Sequence, residues 1–143
     1  MTSHHPSLLP IEFEIGIAEI DLQHKRLYSL LERLRNVTDK HFGYAVNTIL
    51  AELDLETRIH FAVEESLMRL LSFSETDAHV SEHRHLTNQL KIFSQRAQDH
   101  DVSDGLSNFI QMWLFDHIDK HDRELVAYFL SKGVDPVAAP KDN

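Results

Sequence analysis

The chain has 143 residues, 42% of them apolar, and a formal net charge of -9. That length gives one domain able to hide roughly 70% of its unfolded surface, and the ordinary apolar share argues against disorder. The acidic balance disfavours nucleic acid or an anionic membrane as the main partner, and the absence of cysteine rules out disulfides, thiolate metal sites and Cys-ligated iron–sulfur clusters.

In chain order, residues 1–16 read as an N-terminal arm. Pro6, Pro10, Pro136 and Pro140 lie in the ends, which leaves residues 11–135 free of helix breakers. The first helix is predicted near 18–38, where Ile17, Ile20, His24, Leu27, Leu31 and Leu34 recur every three or four residues and make one apolar face. After Gly43 a second runs near 44–71 through Val46, Ile49, Leu53, Thr57, His60, Glu64, Leu67 and Leu71. Ser74-x-x-Asp77 resembles a capping box that opens a third helix near 76–99, carrying His79, His83, Leu86, Leu90, Phe93 and Ala97. The fourth, near 105–131, starts at Gly105, stops at Gly133 and aligns Leu106, Ile110, Trp113, Leu114, His117, Ile118, Leu125 and Phe129. Short connections make neighbours antiparallel and strand signals are absent. The expectation is an all-α, up-down-up-down four-helix bundle over 17–133, followed by a tail or linker at 134–143. No apolar run reaches the ~18 residues of a membrane span. MTSHHPSLLP lacks the features of a secretory signal, so a cytoplasmic protein is expected.

Eleven histidines are the compositional outlier. Five of them join two carboxylates on or beside the apolar stripes: His24, His60-x-x-x-Glu64, His79-x-x-x-His83 and His117-x-x-x-x-Asp122. Buried imidazoles and carboxylates are costly unless something satisfies them, and seven such groups point to a pair of metal ions. Residues four apart share a helix face, so His79 and His83 can bind one ion and His60 and Glu64 can enter one site. The five-residue step turns Asp122 to one side of His117, toward a neighbouring ion. Imidazole suits iron, zinc or copper, and a carboxylate can bridge two metals. Asp119 and His121 are rivals to Asp122, which the spacing favours. Asp21 and Gln23 read equally as capping or ligand-supporting residues, and Glu65 as solvent-facing or ligand-supporting. His4, His5, His41, His85, His100 and His121 read as surface.

The segments Ile20-Asp-Leu-Gln-His24-Lys, His60-Phe-Ala-Val-Glu64-Glu-Ser-Leu-Met68, His79-Val-Ser-Glu-His83 and Trp113-Leu-Phe-Asp-His117-Ile-Asp-Lys-His-Asp122 together resemble the hemerythrin family, especially its bacterial members. The resemblance runs from about Ile11 to Leu130 and fills all seven ligand positions. It implies a non-haem di-iron centre, with His79, His83 and His117 on one iron and His24 and His60 on the other. Glu64 and Asp122, with an oxo or hydroxo group, would bridge the two. It further implies reversible binding of dioxygen, as hydroperoxide, at the second iron, without enzymatic turnover. By position, Leu27, Phe61, Trp113, Leu114 and Ile118 are expected to wall a dry pocket around that open position. A rival expectation is a sensory input module, in which the di-iron oxidation state reports oxygen or redox conditions to an attached signalling domain. Family members often carry an aromatic ahead of the Phe13-Glu-Ile-Gly segment, where this chain has Leu9 or Ile11.

Overall fold

The structure, a computed structural model, describes residues 13–37 and 44–134. Helix α1 spans Ala18–Arg35, α2 Tyr44–Leu70, and α3 Thr76–Arg96. A fourth rod consists of α4 (Ser103–Asp116), a π-helical stretch (His117–Asp122) and α5 (Arg123–Ser131). No strand occurs among the described residues, so the fold is all-α as the periodicity requires. No helix among them is long and apolar enough to cross a membrane. The expected arm up to residue 12, the end of the first helix at residue 38 and the tail from 135 lie outside the described residues.

The directions of the rods follow from their cross-contacts. Between α1 and α2, His24 meets His60 while Arg33 meets Glu52, so one number rises as the other falls. Likewise Glu82 meets His117 and Phe93 meets Phe109, and on the opposite flank His24 meets Asp122 while Tyr28 meets Phe115. Each neighbouring pair checked this way is antiparallel, which gives the up-down-up-down bundle.

The helix ends differ from the sequence expectation in two places. Glu75 precedes α3 and makes no side-chain cap, so the Ser74–Asp77 capping box does not form. Instead the Thr76 hydroxyl donates to the Phe73 carbonyl at 2.6 Å, and Asp77 adds negative charge to the first turn, where the helix dipole favours it. The fourth rod begins at Ser103, placing Gly105 inside it, where a Cβ would sit 3.6 Å from the Phe93 ring. It begins there because Asp101 Oδ1 accepts from both the backbone N–H (3.0 Å) and the hydroxyl (2.8 Å) of Ser103. At the start of α1, Asp21 accepts the N–H groups of Ile15 (2.8 Å) and Gly16 (3.2 Å). This turns the incoming chain through Gly16, whose φ of 111° is open to glycine at little cost. Asp21 is thus a capping residue.

The core falls into two apolar clusters. The larger joins Leu27–Leu34 of α1, Val46–Phe61 of α2, Leu86 and Leu90 of α3 with Ala97 just after it, and Leu106–Ile118 of the fourth rod. The smaller joins Ile17, Ile20, Met68, Phe73, Val80, Leu125, Val126 and Phe129. On α1, α2 and the fourth rod, His24, Glu64 and Asp122 stand between members of the two clusters in sequence. A polar layer thus crosses the bundle between two dry blocks.

Candidate metal centre

That layer contains all seven sequence-selected residues, each of them buried. Their ligand-capable atoms form two sets, each within 4.8 Å internally: Glu64, His79, His83 and His117, and then His24, His60, Glu64 and Asp122. Glu64 belongs to both. Its Oε1 lies 3.2 Å from His79 Nε2, 3.1 Å from His83 Nε2 and 3.7 Å from His117 Nε2. Its Oε2 lies 3.3 Å from His60 Nε2. Asp122 spans the same gap. Its Oδ2 is 2.8 Å from His24 Nε2 and 3.6 Å from His60 Nε2, and its Oδ1 is 3.2 Å from His79 Nε2 and 3.1 Å from His117 Nε2.

The reach of Asp122 depends on the local backbone. A five-residue step on an α-helix separates side chains by about 140° around the axis. The π-helical stretch His117–Asp122 takes more residues per turn and swings the carboxylate back beside the imidazole. Uniform α-helix is the expectation from periodicity, and it turns Asp122 to one side of His117, toward a neighbouring ion. The structure places the two in contact.

The donor set fits a cation. Glu64 Oε2, Asp122 Oδ1 and His117 Nε2 are buried without a hydrogen-bond partner among the described residues. Leaving such groups unsatisfied costs about 1–3 kcal/mol each. Coordination through Nε2 and the carboxylate oxygens would satisfy all three together.

Electrostatics point the same way. Burial and the nearby Asp122 carboxylate push the Glu64 acid up, but His60, His117 and His79 outweigh them and hold it below the usual carboxylate range. Burial likewise opposes ionisation of Asp122, yet His117, the His24 hydrogen bond and the nearby His60 ring keep it well below its ordinary value. Burial lowers His79, and the Asp122 and Glu64 carboxylates beside it overcome that and lift the imidazole to about 9. His117 also ends well above its ordinary value: burial pulls it down, while Asp122, Glu64 and Glu82 pull it up more strongly. For His24 and His83 burial dominates and lowers both. The two carboxylates thus favour protonation of His79 and His117, and divalent cations can replace those protons.

Three further residues hold the imidazoles from behind. His60 Nδ1 donates to Gln23 Oε1 (2.7 Å), His83 Nδ1 to Glu65 Oε2 (2.8 Å) and His117 Nδ1 to Glu82 Oε1 (3.2 Å). In the neutral ring each bond holds the proton on Nδ1 and leaves Nε2 as the lone-pair nitrogen aimed at the layer. Gln23 and Glu65 are thereby resolved as supporting residues. Glu82 is the one the sequence reading missed. Its signal was its place on α3, three residues beyond His79 and on the same face.

The Trp113 ring stacks on His117 at 4.5 Å and Phe61 on His83 at 3.8 Å. Leu27, Leu114 and Ile118 join them in the larger apolar cluster. Among the rival residues, the Asp119 side chain is 64% exposed and bonds Arg123, whereas Asp122 is fully buried. His85 and His100 are exposed, His121 is partly so and bonds Glu82 at 3.4 Å, and His4, His5 and His41 lie outside the described residues.

Comparison with known proteins shows the family. Residues 15–129 match the family described as Hemerythrin, the Hemerythrin HHE cation binding domain. A bacteriohemerythrin of Pseudomonas aeruginosa is 31% identical over 112 residues, covering 78% of this chain and 73% of the relative. One from Stenotrophomonas maltophilia is 32% identical over 113 residues, covering 78% and 74%. One from Clostridium acetobutylicum is 27% identical over 124 residues, covering 80% and 95%. With the match spanning nearly all of the bundle and a buried cation-binding layer at its centre, the chain belongs to the hemerythrin family and is a binding protein rather than an enzyme.

Proposed function

We propose that the protein holds two iron ions and binds dioxygen reversibly. The observation that carries this reading is the sharing of Glu64 between two buried ligand sets, with Asp122 reaching members of both. We assign His79, His83 and His117 to one ion, His24 and His60 to the other, and Glu64 and Asp122 to both. The relatives' name, bacteriohemerythrin, supports extending this chemistry to the present chain. Two ferrous ions would supply the electrons on which dioxygen binding depends.

The chain's own contribution is to fix donors and exclude water. Gln23, Glu65 and Glu82 hold three imidazoles in the tautomer that presents Nε2. Leu27, Phe61, Trp113, Leu114 and Ile118, all buried, are assigned to the wall of the dioxygen pocket. A dry wall limits the protons and water that would carry away reduced oxygen and leave oxidised metal behind.

The test is a visible spectrum of the anaerobically reduced, iron-loaded protein on adding dioxygen and then purging with argon. A new charge-transfer band that fades on purging and returns with dioxygen is the expected result. Rapid, lasting conversion to an oxidised spectrum would overturn reversible binding and favour a redox-sensing role.

A further inference from the structure

We propose that Glu65 and Glu82 bias the half-oxidised metal pair, placing the ferric charge on the ion held by His79, His83 and His117 and leaving the ion at His24 and His60 ferrous. This rests on the di-iron reading above.

The argument starts from the ring nitrogens that face away from the metals. What each Nδ1–H bonds to sets how strongly its Nε2 donates, because a carboxylate draws on the proton and raises the basicity of the ring. The three-histidine set has two such carboxylates, Glu65 on His83 at 2.8 Å and Glu82 on His117 at 3.2 Å. The two-histidine set has none. His60 bonds the neutral amide of Gln23 at 2.7 Å. The orientation of that amide is fixed, since Gln23 Nε2 donates to Glu19 Oε2 at 3.3 Å and Oε1 must therefore face His60. His24 Nδ1 is buried with no hydrogen-bond partner among the described residues. Two anions thus stand behind one ion and only a neutral amide behind the other.

The groups around the two carboxylates do not cancel this difference. Arg69 reaches the other oxygen of Glu65 at 3.6 Å, but its side chain is 62% exposed and its charge is screened by solvent. His121 takes the other oxygen of Glu82 at 3.4 Å from a partly exposed position. Glu65 and Glu82 touch ligands and not the metals, so they are positioning residues. Their effect would be to stabilise ferric charge where protein donors are most numerous, and to keep the less crowded ion reduced and ready for dioxygen.

The experiment removes one electron from the anaerobic diferrous protein with ferricyanide, which becomes ferrocyanide. Imidazole nitrogens strongly coupled to the ferric ion are then counted by electron–nuclear double resonance. Three strongly coupled nitrogens are expected, and two would overturn the proposal whatever any variant does. The potential of the same step is measured for Glu65→Gln, Glu82→Gln and Gln23→Glu. Loss of an outer partner typically changes metal affinity ~10–100-fold. Taking the lower end as the change in oxidised-over-reduced preference, each Glu→Gln variant should raise the potential by ~59 mV. Gln23→Glu acts on His60, behind the ion that stays ferrous, and should move this step much less. Unchanged potentials in Glu65→Gln and Glu82→Gln proteins that still hold two coupled irons would sink the idea and leave the di-iron reading intact. Should either Gln variant lose metal, Glu65→Asp and Glu82→Asp restore the charge, and failure to restore the native potential in loaded protein counts against it. Fewer than two irons in the unaltered chain would remove the reading beneath.

Discussion

Replacing Glu64 by Ala removes the one residue common to both ligand sets, and the structure fixes what should follow. Each set has four residues, so each falls to three. In the unaltered protein, free metal at 100 times the dissociation constant stabilises the fold by about 2.7 kcal/mol per site, or about 5.4 kcal/mol for two. For a domain near this size each kcal/mol moves Tm by about 2–4 °C, so loading should raise it by roughly 10–20 °C. Losing a direct ligand should cost at least the ~100-fold in affinity seen for groups one step further out. At the same free metal, each site then contributes only about 0.4 kcal/mol, and the rise shrinks to about 3 °C or less. Differencing loaded against metal-free protein, each variant against itself, removes whatever the substitution does to the empty fold. The assay is thermal unfolding with and without Co(II), alongside metal content per chain and the magnetic coupling of the iron-loaded form. Asp119→Ala serves as the control, because that exposed carboxylate bonds Arg123 and should leave loading untouched. Two ions per chain, a full thermal rise and an intact coupled spectrum in Glu64→Ala would refute the assignment.

Further outcomes follow from the same geometry. Leu114→Ala opens space within the larger apolar cluster and should cost about 2–5 kcal/mol of stability; it should also speed oxidation of the oxygenated protein, and an unchanged autoxidation rate would remove Leu114 from the pocket wall. Metal loading at pH 7.5 should release about two protons per chain, because His79 (held at about 9) and His117 (held well above its ordinary value) must deprotonate to offer lone pairs. Apparent Co(II) affinity should therefore rise with pH up to about 9, and calorimetric titration in buffers of different ionisation enthalpy would expose a count near zero. The sign for the metal-free fold is opposite: His79 is raised on folding, so the stability it contributes is complete below about 6.5 and lost as pH rises through about 9. Urea melts across that window should show the decline. Tyr128→Phe removes a hydroxyl that donates to the Leu71 carbonyl at 2.6 Å and should cost about 1 kcal/mol, read as a lower urea midpoint with unaltered metal content; an unchanged midpoint would mean the bond is not holding the α2–α3 connection against α5.

Much of this protein was legible before folding because its signals are local and periodic. Apolar residues every three or four positions, with proline kept to the ends, dictate helices whatever the tertiary context. The His60–Glu64 and His79–His83 spacings put paired donors on one face by helical geometry alone. Asp122 was singled out by spacing over Asp119, and burial separates the two in the same way. What the sequence could not carry were features that depend on several rods meeting. The π-helical turn that returns Asp122 to His117 leaves no periodic mark, since one widened turn shifts the register only locally. Glu82 reads as one more charge on α3 until the fourth rod brings His117 Nδ1 to it. Gln23 and Asp21 stand two residues apart with ambiguous roles. Only packing sends one to His60 on α2 and the other back to the backbone of Ile15 and Gly16. The sequence by itself determined the helices and most of the donors. The sharing of Glu64 between two ligand sets was decided by the tertiary structure, because it requires atoms from four rods to meet within a few ångströms.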